Sequence, residues 1–319
     1  MSKLALPEGL VDPDVTFGPA AAVALTEGPA ADAQGNLYFS DIANSRVWKL
    51  SAQGRLEVFR ENSGRTNGNT FDAEGRLISC EGAEFGPGGR RRMVRTDMNT
   101  GEVTVLTDRY QGKRYNSPND VVVDGNGRIY FTDPRYGDRS DMEMSIEGVY
   151  RIDPSGEVTR VLEQPAIQKP NGLAITPDDR TFYLVDSNNN PGGNRKIWAF
   201  DIREDGSLTN QRLVFDFAPG RGGDGMRLDL DGNLWIAAGI SRPRTGAETT
   251  EYPPGVYAMT PGGKLLGRIP VPEDLITNLC FAGPDKRTLY VTAGKTLYSA
   301  RVHVTGWSLY PPLKKGQKA

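Results

Sequence analysis

The chain has 319 residues, including 38 Gly and 22 Pro, with 24% charged residues and a formal net charge of -2. That balance contains no long block of one sign and excludes a nucleic-acid-binding arm; no stretch approaches the roughly 18 apolar residues of a membrane span. The only cysteines, Cys80 and Cys280, lie far apart, which excludes a disulfide scaffold and makes the reducing cytoplasm the default compartment, with the periplasm left open.

Residues 1–15 read as a lead-in without the apolar core of a signal peptide. Ala21-Ala22-Val23-Ala24-Leu25 then reads as a strand ahead of the first repeat. The repeat is a turn, a short apolar strand and a polar end. In chain order it runs Gly35 to Asp41, Gly75 to Glu81, Gly127 to Asp133, Arg180 to Asp186, Gly232 to Ala238 and Arg287 to Ala293. Six copies spaced by about 50 residues, rich in β-branched and aromatic side chains, predict an all-β, six-bladed β-propeller with four-stranded blades. Third strands follow at Arg46–Leu50, Gly148–Ile152, Lys196–Phe200 and Gly255–Met259, and a fourth at Glu157–Leu162. The last copy ends near Val304 without a fourth strand, so the N-terminal strand is expected to close the last blade and remove an open edge. The propeller is placed at 16–307. Residues 308–319 are left as a tail, whose basic end Lys314-Lys315-Gly316-Gln317-Lys318 reads as frayed.

Eight or nine residues before each anchor stand Glu27, Asn67, Asn119, Asn171, Asp224 and Asn278. Asn and Asp are turn formers, which explains one or two copies but not six in register that include a Glu. Placed at the start of each innermost strand, the six side chains converge on the axis. Two carboxylates and several amide oxygens make a hard-oxygen cage for one divalent cation. Ca²⁺ is favoured for its looser shell, Mg²⁺ and Mn²⁺ stay open, and Zn²⁺ fits poorly with one His and no paired Cys.

At these residues the chain resembles the gluconolactonase, senescence marker protein and luciferin-regenerating enzyme family, over roughly residues 16–307. The motifs are Thr26-Glu27-Gly28-Pro29, Ser117-Pro118-Asn119-Asp120, Pro170-Asn171-Gly172-Leu173 and Asp224-Gly225-Met226; the run through Asp133-Pro134 and Tyr136-Gly137 is closest to the bacterial gluconolactonase branch. The resemblance implies a catalytic divalent cation, often Ca²⁺, on Glu27, Asn119, Asn171 and Asp224, with Asn119 also described as a substrate contact. Two departures stand out. Ser117 occupies the place of an Arg that contacts substrate in the animal branch, and His303 is the single His where the related paraoxonases use a pair.

A cation polarises a carbonyl while a base serves the attacking water, which is the chemistry of lactone opening. Glu27 and Asp224 are the ionisable ring members. Asp224 is the first choice for base or water-positioning residue, with a nucleophilic role as the variant. The ends of the second strands return to the same mouth with Asp41, Glu81, Asp133 and Asp186, for which loop capping and substrate-hydroxyl binding both fit. Long loops there include Phe85–Arg90, Arg135–Arg139, Asn188–Arg195 and Ser241–Arg244, whose arginines fit either an anionic group on substrate or product or a solvated rim. Substrate contacts are therefore expected from Asn67, Asn119, Asn278, Glu81, Asp133, Arg135 and Tyr136. Gly294-Lys295-Thr296 lacks the upstream Gly of a phosphate loop, and Asp229–Asn233 and Asp186–Asn190 read as turns rather than calcium loops. The favoured reading is a metal-dependent hydrolase of a small sugar lactone, monomeric or weakly self-associating. A phosphorus-ester or other ester hydrolase on the same site and a non-enzymatic binding propeller remain the alternatives.

Overall fold

The computed structural model describes residues 18–83, 89–244 and 246–313. Its repeat unit is set by the turn between the first two strands of a blade. In blade 1 the Asp32 carboxylate accepts the backbone N–H groups of Gln34 (2.9 Å) and Asn36 (2.8 Å), and Gly35 takes the left-handed conformation (φ +83°) that closes the turn. Asp72, Asp124 and Asp229 repeat this capping in blades 2, 3 and 5. The Asp229 turn is therefore an inter-strand turn, as the sequence spacing implies.

Six antiparallel four-stranded sheets result. From axis to rim, blade 1 is Thr26–Ala31, Leu37–Asp41, Arg46–Leu50 and Leu56–Arg60. Blade 2 is Thr66–Phe71, Leu77–Glu81, Arg92–Thr96 and Val103–Thr107. Blade 3 is Val121–Val123, Ile129–Asp133, Gly148–Ile152 and Val158–Glu163. Blade 4 is Pro170–Ile175, Thr181–Ser187, Arg195–Ile202 and Leu208–Asp216. Blade 5 is Met226–Leu228, Leu234–Ala238, Gly255–Met259 and Leu265–Pro270. Blade 6 is Ile276–Ala282, Thr288–Ala293 and Thr296–Arg301, completed by the N-terminal strand Gly18–Ala22. That closing strand pairs Gly18 with Ser299 and Ala22 with Thr296. It sits three residues earlier than Ala21–Leu25, because Leu25 already belongs to the entry into blade 1, where its N–H bonds the Asp41 carboxylate.

The core lies between blades. Trp235 of blade 5 meets Phe281 of blade 6 edge to face at 5.6 Å, and its indole N–H reaches Asp229. A small ribbon not foreseen from the sequence, Arg109–Tyr110 with Lys113–Arg114, leads from blade 2 to blade 3. Packing continues past the expected limit at residue 307. The Trp307 N–H bonds Leu228 O, and Tyr310 packs on Phe71 at 5.6 Å, so this segment crosses the axis at the end opposite the ring. The lead-in before residue 18, the basic tail from residue 314 and most of the Phe85–Arg90 loop lie outside the described residues. No helix is long and apolar enough to cross a membrane.

The innermost strands meet at glycines. A Cβ on Gly28 would lie 2.2 Å from Asn67 O, and one on Gly172 would lie 2.2 Å from Asp224 O. These glycines let adjacent blades touch directly beside the ring residues. Gly172→Ala should therefore cost about 1–3 kcal/mol in denaturant melts, whereas Gly246→Ala, with nothing within 4 Å, should melt like the parent.

Candidate metal centre and mouth cavity

All six ring positions occupy the mouth end of the innermost strands. Glu27, Asn67 and Asn171 are the second residues of theirs and Asn278 the third, and in each of these strands the pairing register slips beside the ring residue. Such a bulge re-aims a side chain without ending the sheet. Asn119 and Asp224 stand two residues ahead of their strands, yet still donate a backbone N–H to the second strand, at Thr132 O and Ala237 O, both 2.8 Å.

The carboxylates at the ends of the second strands hold these entries in place. Asp133 accepts the N–H groups of Asn116 (2.8 Å) and Ser117 (2.7 Å), three and two residues before Asn119. Asp186 does the same for Gln168 and Lys169 ahead of Asn171, and Asp41 for Leu25 ahead of Glu27. Between the two roles left open for this register, the geometry is that of loop capping. Asp133 is fully buried, and burial pushes its carboxyl up to about 7 against the pull of its two N–H donors. Glu81 is equally buried, ion-paired with Arg60 (3.1 Å), Arg92 (2.6 Å) and Arg90 (3.5 Å). Arg135 has no exposed surface, and its guanidinium is spent on Asn116 O, Asp138 O and the Asp141 carboxylate. These three residues, expected at the substrate, are committed to internal structure because their charges need burial partners more than solvent allows.

The other expected residues gather around one mouth cavity of about 390 Å³. Glu27, Asn67, Asn119, Asn171 and Asp224 all line it, and Tyr136 borders it. Asn278 does not reach the cavity. It is fully buried and donates to Glu27 Oε2 (3.1 Å) and Asp120 Oδ2 (3.3 Å), so it orients the glutamate. The side-chain oxygens of Asn67, Asn119 and Asn171 are buried without any hydrogen-bond partner. For Asn171 the reason is visible: its amide N–H is taken by the Tyr136 hydroxyl at 3.0 Å, leaving Oδ1 free. Three orphaned amide oxygens beside two carboxylates are costly unless a cation completes them. Among the described residues no three His, Cys, Asp or Glu side chains cluster as a metal cage, so a cation here would have to draw on amide oxygens as well.

The carboxylates behave accordingly. Burial, then the charges of Asp224 and Asp120, raise Glu27 well above its ordinary value. Burial also pushes Asp224 up to about 7, with the Arg221 guanidinium and the Asn171 amide pulling the other way. The two differ in access: Glu27 is 4% exposed and held by Gly28 N–H and Asn278, whereas the Asp224 side chain keeps 15% of its surface open.

Two participants, Asp120 and Arg221, escaped the sequence reading as site residues, and Arg244 entered it only as part of a mouth loop. Asp120 is buried at the axis between Asn278 and Arg227, whose Nη1 is 3.5 Å away. Strict strand alternation would turn it away from Asn119, but the strand begins only at Val121. Arg221, 3.6 Å from Asp224, and Arg244 both line the cavity. The signal for Arg221 was an arginine in the glycine-rich approach Gly220-Arg221-Gly222-Gly223 to a ring aspartate. His303 is exposed, and Cys80 and Cys280 are buried free thiols.

Residues 25–295 match the family described as the SMP-30/Gluconolactonase/LRE-like region. The chain belongs to that family. It is 31% identical to a gluconolactonase from Zymomonas mobilis over 303 residues, covering 88% of this chain and 79% of that protein. It is 26% identical to the pentonolactonase XacC of Haloferax volcanii, over 84% of this chain and 81% of that one. Among solved structures, a gluconolactonase from Xanthomonas campestris superposes with a TM-score of 0.79 at 31% identity, over 95% of both chains.

The buried charge has a measurable consequence. Between its ordinary 3.8 and about 7, Asp224 keeps a proton in the folded metal-free chain that the unfolded chain has released. Stability therefore falls as pH rises through that window. In chelator, Asp224→Asn should lose less melting temperature than the parent between about pH 5 and about pH 8. It should also melt higher than the parent at the alkaline end.

Proposed function

We propose that the ring holds one divalent cation and that the chain uses it to open a small sugar lactone. That the chain is a lactonase, a carboxylic ester hydrolase, follows from its family and from the gluconolactonases and pentonolactonase it resembles. The metal, the sugar and the roles of individual residues are this reading's own. The observation that carries it is the set of three partnerless amide oxygens, on Asn67, Asn119 and Asn171, around the cavity that Glu27 and Asp224 also line.

Glu27, Asn171 and Asp224 would hold the cation, with Asn119 either completing the set or meeting the substrate. A bound cation of this kind supplies a Lewis acid for the carbonyl oxygen, and the all-oxygen donor set favours Ca²⁺ over Zn²⁺. Asp224 is the more exposed of the two ring carboxylates, so it takes the proton from the water that attacks the carbonyl carbon. The ring C–O bond then breaks, the departing alkoxide takes back the proton that Asp224 removed from the water, and a hydroxy acid leaves. Asn278 keeps Glu27 from turning away, and Tyr136 fixes which end of the Asn171 amide faces the site. Apolar Leu25, Ile42 and Leu275 on the cavity wall limit competing water.

Acid release by pH-stat on glucono-δ-lactone, corrected for spontaneous hydrolysis, tests this. Chelation should abolish turnover and Ca²⁺ or Mn²⁺ should restore it. Glu27→Gln and Asp224→Asn should each lose at least about 100-fold in kcat/KM. Full turnover in chelated protein would sink the metal. Tyr136→Phe frees the Asn171 amide to rotate, and calcium titration should find its affinity about tenfold weaker.

A further inference from the structure

On the proposed reading, lactonase chemistry needs the cation, a base and groups for the sugar hydroxyls; Tyr136 and Asn189 on the cavity wall supply polar groups of that kind. It does not need two arginines. Arg221 and Arg244 nevertheless line the same cavity, on loops from opposite sides of blade 5. Arg221 comes from the glycine-rich approach to Asp224, and Arg244 from the long loop after Leu234–Ala238.

Neither guanidinium is used up by the protein. Arg221 has one charged contact, Nη2 to Asp224 at 3.6 Å, and its Nη1 is buried with no hydrogen-bond partner. Arg244 is exposed; its backbone N–H bonds the Glu248 carboxylate (2.7 Å), and its guanidinium feels the charges of Glu248, Asp274 and Asp224. The loop carrying Arg221 is fixed from the far side, where Gly222 N–H bonds Asn189 Oδ1 at 3.0 Å, so this arginine is positioned and not merely present. Arg135, by contrast, shows how this chain treats a structural arginine, with every arm of the guanidinium matched to an acceptor.

The charge balance points the same way. The cavity is lined by three carboxylates, Glu27, Asp224 and Glu248, and by two guanidiniums. A dication in the ring would draw on Glu27 and Asp224 and turn the wall to a surplus of one positive charge. The contact between Asp224 and Arg221 would weaken in the same step, because the aspartate's charge would be shared with the metal. A neutral sugar lactone leaves that surplus unmatched, whereas a lactone carrying one further oxyanion matches it. Guanidinium groups are suited to such a partner, since their planar forks meet an oxyanion with two parallel hydrogen bonds.

We infer that Arg221 and Arg244 form a specificity subsite for an acidic group on the lactone, so that the preferred substrate is an acidic sugar lactone rather than a neutral one. This rests on the lactonase reading above. A matched pair tests it: glucaro-1,4-lactone and glucono-1,4-lactone, which differ in having a carboxylate or a hydroxymethyl group at the far carbon. With Ca²⁺ or Mn²⁺ present, the acidic lactone should have the higher kcat/KM, by about 10- to 100-fold. Arg244→Gln and Arg221→Gln should each erode that ratio about tenfold or more, mostly through the acidic substrate. Equal turnover of the two lactones, or a preference that both variants retain, would overturn the subsite. If neither lactone is opened, the lactonase reading fails first, and binding decides the subsite separately. By calorimetry the open-chain diacid glucarate should bind more tightly than gluconate and lose that margin in Arg244→Gln. Equal affinities for the two would overturn the subsite as well.

Discussion

Six strands that all begin at one axis and all turn a polar side chain toward it cannot satisfy those side chains among themselves. Asn278 donates to Glu27 and Asp120, yet three amide oxygens and the remaining carboxylate oxygens are left, so acceptors outnumber donors. The imbalance is visible in the partnerless oxygens of Asn67, Asn119 and Asn171 and in the raised carboxyl groups of Glu27 and Asp224. A cation held as proposed, by Glu27, Asn171 and Asp224, would offset much of that imbalance, and the surrounding structure holds these side chains in place.

The support has three parts. Glycines beside the ring, such as Gly28 and Gly172, let neighbouring blades approach until a methyl group would collide with backbone. Bulges at the strand starts aim the ring side chains inward. Carboxylates at the ends of the second strands grip the backbone just upstream, as Asp133 does at Asn116 and Ser117. Behind the ring, Asn278 spans Glu27 and Asp120, and Arg227 supplies the positive charge that lets Asp120 remain at the axis. Concentrating like charge in this way lowers the stability of the metal-free chain, the usual cost of a site that is preorganised for a ligand.

The fold was legible because the turn-strand repeat recurs six times and depends on local chemistry, the capping aspartate and the turn glycine. The missing fourth strand of the last blade likewise signalled closure by the N-terminus, with an error of three residues where Leu25 was needed by Asp41. The ring positions were legible for the same reason, as one register read six times. Residues whose role depends on tertiary neighbours were not legible. Nothing local separates Glu81 and Asp133, consumed by partly exposed arginines and by backbone N–H groups, from carboxylates that face solvent. Arg135 looked like a mouth arginine but closes a buried network, while Arg221 went unnoticed three residues from Asp224. Asp120 was hidden by an alternation rule that does not apply before its strand begins.

The account stands on the ring being a cation site, and locating the ion tests that most directly. Crystals grown from chelated protein and soaked in Mn²⁺ should show a single strong anomalous peak on the axis, among the side-chain oxygens of Glu27, Asn171 and Asp224. The peak should be absent from crystals of Asp224→Asn treated the same way. A peak elsewhere, or an empty ring in protein that still opens lactones, would contradict the account.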